Sequence, residues 1–255
     1  MIKRALRFLL AAAGSQSLPL LSVIPGASVL AQEPALRSAS PTIVSDRPGL
    51  GNGAWVVGPG IWQLETGATL ADSGPNRAVN GSALLRVGLS NSELRMTLPS
   101  PQVSTDSGDT DVADLGVGFK VPLGDGSWRW GLLGDATLPT GSDAGTADEV
   151  TGTLTLVGET ALGDRAGFTV NLGASAGEHS DATAILVPTL SFRLTNAVSS
   201  YAGVAAYFAD EQDEYWVETG FAVSMGTDFQ WDINSAYDVE NDQWFLGIGL
   251  AWRWD

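Results

Sequence analysis

The chain has no cysteine and a single histidine, and it is short of cations: 13 Lys and Arg stand against 29 Asp and Glu, a net charge of −16. Without cysteine there is no disulfide framework, no thiol nucleophile and no thiolate metal site. So acidic a chain does not bind nucleic acid through a basic surface, or anionic lipid through a basic patch. Past Ile24 there is no continuous apolar run long enough to cross a bilayer as a helix, which takes about 20 residues. Gly-rich phosphate loops opening a helix and helical zinc motifs are missing as well. These absences remove the helical membrane proteins, the disulfide-rich secreted domains and the common nucleotide and zinc enzymes.

What is present is alternation. From Gln243 to Trp254, Trp244, Leu246, Ile248, Leu250, Trp252 and Trp254 share one face, and Gln243, Phe245, Gly247, Gly249, Ala251 and Arg253 share the other. A strand has period 2, so one face is wholly apolar with an aromatic at each end, the pattern of a lipid-facing strand in a membrane barrel. Similar runs recur about twelve times, near 61–70, 80–90, 92–98, 112–122, 128–138, 150–162, 167–177, 183–194, 198–208, 215–225, 228–238 and 243–254. Run 150–162 is ambiguous because Thr and Val fall on both faces. Pro188 removes a ladder donor within run 183–194 and suggests a bulge there. The fold class this predicts is all-β, a transmembrane antiparallel up-and-down barrel of about twelve strands.

The N-terminus reads as a leader. Lys3, Arg4 and Arg7 precede a mostly apolar stretch from Phe8 to Ile24, and Val29-Leu30-Ala31 is a small-residue cleavage site before Gln32. Ser15, Gln16, Ser17 and Pro19 break that stretch, which favours a leader over a membrane anchor. The organisation expected is a signal peptide over 1–31, a flexible periplasmic segment over 32–53, rich in Pro, Ser, Gly and Ala, and a barrel over 54–255. Loss of residues 1–31 would leave 10 Lys and Arg and a net charge of −19. The connections alternate. Those at 71–79, 99–111, 139–149, 178–182, 209–214 and 239–242 are long, and those at 90–92, 123–127, 163–166, 195–197 and 226–227 are short. This is the asymmetry of outer-membrane barrels, with long loops outside and short turns in the periplasm. On this map Trp62, Trp128, Trp130, Trp231, Trp252 and Trp254 lie toward the periplasmic rim and Tyr215, Tyr237 and Trp244 toward the outer rim. They are the expected interface girdle, since their rings are apolar and their N–H or O–H needs a wet partner.

Several pieces of the chain, in order, resemble the meta-pathway phenol-degradation outer-membrane proteins, a transporter-like family. They are Ser45-Asp-Arg-Pro-Gly49, Pro59-Gly-Ile-Trp-Gln-Leu-Glu-Thr-Gly67, Leu85-Arg-Val-Gly-Leu-Ser-Asn-Ser-Glu-Leu-Arg95, Asp114-Leu-Gly-Val-Gly-Phe-Lys120, Leu138-Pro-Thr-Gly-Ser142 and the closing Trp244–Trp254 strand. The resemblance implies an outer-membrane barrel with a role in solute passage; the link to apolar or aromatic solutes comes from it alone. Such barrels finish on an aromatic read by the assembly machinery, whereas here Asp255 follows Trp254.

Alternation sends the charged side chains of the strands inward, because an Arg or Lys on the lipid face costs roughly 2–4 kcal/mol at the midplane. The candidates for lumen selectivity are Glu65, Arg86, Arg95, Asp114, Lys120, Arg129, Asp135, Arg193, Glu218, Asp232 and Arg253, with Glu93 and Glu159 on the same face. They line a polar passage or fill a narrow barrel as a salt-bridged plug. Inward glycines such as Gly67, Gly88, Gly131, Gly220 and Gly249 leave room and tip the reading toward a passage. The acidic outer loops, with Asp106, Asp109 and Asp111 in one, Asp143, Asp148 and Glu149 in another and Asp210, Glu211, Asp213 and Glu214 in a third, lack full calcium-loop spacing and read as solvated. A lipid-modifying enzyme would need its only histidine, His179, oriented beside a nucleophile, and a loop residue between Glu178 and Ser180 lacks that setting. The expectation is therefore no catalytic residue, no metal and no cofactor. Expected partners are outer-membrane lipid and lipopolysaccharide, the barrel-assembly machinery acting on the C-terminal strand, and a small-molecule solute, without nucleic acid. Passage of solute is the leading reading. A structural or surface-interaction barrel with a closed lumen is the alternative.

Overall fold

The computed structural model describes residue 40 and residues 42–74, 76–210 and 212–255. The leader expected over 1–31, and residues 32–39 of the segment after it, lie outside the described residues. The strands are β1 (Trp62–Asp72), β2 (Arg77–Gly88), β3 (Glu93–Thr97), β4 (Pro101–Ser104), β5 (Thr110–Val112), β6 (Leu115–Asp125), β7 (Arg129–Leu138), β8 (Thr151–Ala161), β9 (Ala166–Gly177), β10 (Thr183–Arg193), β11 (Val198–Phe208), β12 (Glu214–Met225), β13 (Phe229–Asp238) and β14 (Gln243–Trp254). β3 and β4 both pair with β2 and form one stave interrupted at Leu98–Ser100. β5 and β6 form the next, pairing with β4 and β3. Every pairing is antiparallel, and β1 pairs with both β2 and β14, so the twelve staves close into a barrel.

Closure is continuous in register, from Trp62 opposite Trp254 to Asp72 opposite Trp244. Closure leaves the long staves without a free edge, as a membrane-spanning sheet requires; the short β5 pairs with β4 alone. The sheet is inside-out relative to a water-soluble protein. Leu154, Val217, Ile248 and Trp252 face outward and are exposed, while Glu65, Arg86, Lys120 and Glu218 are buried inside. The ambiguous run resolves the same way, with Leu154 outside and Thr155 and Val157 buried inside β8. A small inward apolar patch of Leu133, Val157 and Val187 interrupts the polar interior.

The bulge expected at Pro188 is not there. Pro188 pairs with Val170 in unbroken register with β9, and the β10–β11 register is the same on either side of it. The ladder to β11 loses its pairs at Val187 and Pro188 but does not slip, because the missing N–H removes a bond without inserting a residue. The register shift falls instead in β6, between Pro122 and Gly124.

At one end of the barrel, the short-turn end, the connections are three or four residues long; at the other, the long-loop end, they range from four residues at 239–242 to twelve at 139–150. The stretches 71–79 and 99–111, expected as long loops, are partly strand, since β1, β2, β4 and β5 extend into them. At the short-turn end Trp252 and Trp254 lie with ring centroids 4.7 Å apart, Trp128 stacks on Trp130 at 5.4 Å, and Phe168 meets Trp128 edge-on. Trp62 and Trp231 stand exposed toward the same end. At the long-loop end Tyr215 packs edge-on to Phe208, Tyr237 sits opposite Trp244 and bonds to Asp242, and Arg77 lies over the Trp244 ring.

Candidate functional site

The lumen is occupied. Residues 43–57 enter at the short-turn end, where the Ile43 N–H donates to the Thr227 carbonyl. They rise to mid-barrel and return to the same end, where the Gly60 N–H donates to Gly88 and the chain starts β1. Ile43, Ala54, Val56 and Val57 are buried. Residues 43–53 of the segment expected to be flexible and periplasmic are therefore part of a hairpin packed inside the barrel. Its backbone lies at membrane depth without helix or strand, so its N–H and C=O groups need partners from the wall.

The wall supplies them. Glu65 accepts from the Ser45 hydroxyl at 2.8 Å and from the N–H groups of Asp46 and Arg47. Arg86 donates to the carbonyls of Val44 and Trp55. Glu93 accepts from the Val57 N–H, Glu218 from Leu50, and Glu159 from Ala54 and the Trp55 indole. Asn171 exchanges two bonds with the backbone of Asn52, and Asn234 donates to the Pro48 carbonyl.

Charge balance holds the hairpin on the side of β1–β6. Arg86, Arg95 and Lys120 bring three cations to this wall, and Glu65 and Glu93 bring two anions. Asp46 supplies the missing charge, lying 2.5 Å from Arg95, 2.8 Å from Lys120 and 3.6 Å from Arg86. Its other oxygen accepts from the Gly53 N–H, tying the two arms of the hairpin together. Removing one member of a buried ionic set strands the others and costs about 3–5 kcal/mol. Arg47 points the other way, to Asp232 at 3.3 Å, the Ser82 hydroxyl and the Ile248 carbonyl.

Inward glycines make room for this hairpin. A Cβ on Gly67 or Gly249, which face each other across β1 and β14, would collide with the Arg47 guanidinium. One on Gly88 would overlap the Gly58 carbonyl. Gly131 faces the backbone of Ala54, and Gly220 lies beneath the Tyr201 ring. The space that suggested a passage is thus largely filled, by residues 43–58 and by neighbouring wall side chains.

Of the expected lumen charges, the structure gathers Glu65, Arg86, Arg95, Lys120, Glu218 and Asp232 around the hairpin. Asp135 stands at the edge of the cluster, 3.7 Å from Arg95. Arg129 lies over the Trp55 ring, 3.3 Å from its centroid. Arg193 is exposed at the short-turn end, and Arg253 bonds there to Asp228 and the Ser40 carbonyl. Asp114 lies apart, near the long-loop end, where it accepts the N–H groups of Thr140, Gly141 and Ala147. Asp46, Arg47 and Trp55 were not among the candidates. The signal for Asp46 was the unbalanced wall of three cations and two anions. His179 lies in an exposed loop, with its N–H bonded to Glu149.

Two cavities that share part of their lining remain beside the hairpin. One, of about 350 Å³, lies between residues 43–53 and the wall of β8–β13. The other, of about 610 Å³, opens at the short-turn end around Trp55, Arg129, Arg165 and Arg193. Val44, Glu159, Ser191 and Ser199 border both. A third, of about 210 Å³, lies between the hairpin tip and β1–β3, against Ser82, Arg95 and Thr97.

A closed barrel, apolar outside and ion-paired inside around its own N-terminal hairpin, is a membrane barrel of the outer-membrane type. The family model described as "Putative MetA-pathway of phenol degradation" matches residues 45–254, and the chain belongs to that family, the one its sequence resembles. The matched span takes in Asp46 and Arg47 as well as the barrel. No curated protein matches the chain. Among solved structures it is similar to KdgM, a porin determined in complex with disordered oligogalacturonate, at 6% identity and a TM-score of 0.58, covering 74% of this chain and 98% of that one. It is also similar to the NanC porin, at 8% identity and a TM-score of 0.55, over 74% and 98% of the two chains. At such identities the likeness is one of fold.

Proposed function

We propose that this protein is a bacterial outer-membrane barrel for the passive passage of small solutes, with residues 43–57 as the part that constricts the lumen. The reading rests on one observation above others: a cavity open at the short-turn end and a second one alongside the hairpin at mid-barrel share four lining residues, Val44, Glu159, Ser191 and Ser199. In this reading the short-turn end faces the periplasm, the exposed apolar belt meets outer-membrane lipid, lipopolysaccharide surrounds the long loops, and the C-terminal strand is what the assembly machinery engages. The hairpin tip, Arg47-Pro-Gly-Leu-Gly-Asn-Gly53, is the moving part, held by a few side-chain bonds and rich in glycine. The role is not enzymatic.

The test is planar-bilayer conductance and liposome swelling with refolded protein. The expected result is small or infrequent steps for the full chain and large, frequent ones when residues 40–57 are deleted. Silence from both proteins, with no solute entering liposomes, would overturn passage and leave the closed-lumen barrel, which the occupied mid-barrel favours. An aromatic solute class, implied by the family description, is the second reading for what passes. Its support is the inward pair Trp216 and Phe245, 5.9 Å apart near the long-loop end. Faster uptake of benzenesulfonate than of size-matched aliphatic sulfonate, lost in Trp216→Ala, is what that reading requires.

A further inference from the structure

The two sides of the lumen differ in chemistry. The wall of β1–β6 is charged, and its charges are spent on the hairpin and on each other. The wall of β9–β13, across the cavity of about 350 Å³, is lined by hydroxyl and amide groups: Thr169 on β9, Ser191 on β10, Ser199 and Tyr201 on β11, Ser224 on β12 and Gln230 on β13. We infer that this wall is a binding lane for a neutral, hydroxyl-rich small solute of the polyol or sugar type. The inference rests on the passage reading and names the solute class for it.

Three observations carry it. First, the size fits: small-molecule sites run from roughly 300 to 1,000 Å³. Second, the charged groups at the cavity edge are already engaged. Asp46 is held by Arg95 and Lys120, Arg47 by Asp232 and Ser82, and Glu159 by the Trp55 indole and the Ala54 N–H. An anion entering here would give up hydration and meet no unpaired cation, and a cation would meet, beyond the ion-paired Asp46, only the Glu159 carboxylate, already held by the Trp55 indole and the Ala54 N–H. Third, among the described residues the hydroxyls of Thr169, Ser191, Ser199 and Ser224 are committed to no other group. Each can turn to donate or accept, so a wall of them matches a solute whose own groups do both. An apolar solute of the same size would leave them unpaired, and a site built for hydrogen bonding discriminates against an analogue lacking it. Tyr201, packed over Gly220, adds a broad apolar surface to the lane, beside Ala222 and the hairpin's Ile43, Val44 and Pro48, against which a ring's C–H face can lie.

The experiment is swelling of liposomes that carry the full mature chain, with sorbitol, gluconate and a quaternary ammonium sugar analogue as matched neutral, anionic and cationic probes. The triple variant Thr169→Val, Ser199→Ala, Ser224→Ala removes hydroxyls with little change of shape, and heat-modifiable migration on gels reports that the barrel has formed. The expected result is sorbitol entry about tenfold faster than either ion, with that ratio falling toward one in the triple variant. Ser191→Trp, which narrows the lane, slows sorbitol by a similar factor. Equal rates for the three probes, or a sorbitol preference unchanged in both folded variants, would overturn the lane and leave passage standing. Entry of no solute at all through the full chain and through the form lacking residues 40–57 would overturn passage itself, and the lane with it.

Discussion

Asp46 lies 2.8 Å from the Nζ of Lys120, although it belongs to a loop and Lys120 to the barrel wall. The contact joins the segment before the first strand to the middle of the sheet, and it supplies the charge that Arg86, Arg95 and Lys120 lack from Glu65 and Glu93. The lumen and its occupant are in this sense one ionic structure.

Asp46→Ala is therefore expected to release the hairpin. It leaves one cation of a buried set uncompensated, at a cost of about 3–5 kcal/mol. The double variant Asp46→Ala, Lys120→Met should recover part of that loss, since it removes the stranded charge. Protease cleavage between residues 43 and 57, together with the rise in bilayer conductance, measures both. Equal protection of the wild type and the single variant would contradict the ionic latch.

A methyl group at Gly249 has no room while Arg47 is in place. Gly249→Ala should displace the guanidinium from Asp232 without disturbing strand pairing, because the side chain points inward. Arg47→Ala in the Gly249→Ala background should then add nothing further, the sign of two changes acting on one contact. Additive effects on conductance would show that the two act independently.

On the outer face, depth sets the cost of charge. Ile248, 60% exposed in the middle of β14, becomes expensive as arginine, by roughly 2–4 kcal/mol, whereas Trp252→Arg near the rim costs about 0–1 kcal/mol. Denaturant unfolding in lipid vesicles measures the difference. Comparable costs at the two positions would mean that Ile248 does not face the hydrocarbon centre.

Two long loops are joined by an acid contact. The hydroxyl of Ser180 and the N–H of His179 hold the Glu149 carboxyl below its usual range. A depressed carboxylate contributes stability that is complete above the unfolded value of about 4.3 and is lost as pH falls through the folded one. Protease nicking within 178–182 should thus be independent of pH near neutrality and rise below that value. In Glu149→Gln the acid-dependent rise should be flattened. A wild-type profile identical to that of the variant would remove the contact from the account.

Much of the barrel was legible because a strand's period is two. Leu246, Ile248 and Leu250 alternating with Gly247, Gly249 and Ala251 state their faces whatever surrounds them, whereas loop length was less legible, because β1, β2, β4 and β5 run on into the stretches 71–79 and 99–111. The inward direction of Glu65, Arg86, Lys120 and Glu218 was legible for the same reason. Residues 43–57 were not. They have no period, and Pro, Gly and Ser are as common in a mobile tail as in a backbone threaded through polar surroundings. The inward glycines were legible as missing side chains but not as a slot for Arg47. The same ambiguity placed the bulge at Pro188 instead of beside Pro122: a proline removes a donor, and whether a residue is also inserted depends on the neighbouring strand.

By itself, then, the order of residues determined an antiparallel barrel with an apolar exterior and a charged interior, because alternation is a local property that needs no partner to be read. What fills the interior, and which charges answer which, only the closed barrel decided. Closure brings residues far apart in the chain within 3 Å of one another, and in a space shielded from water each buried charge must then find its counterpart.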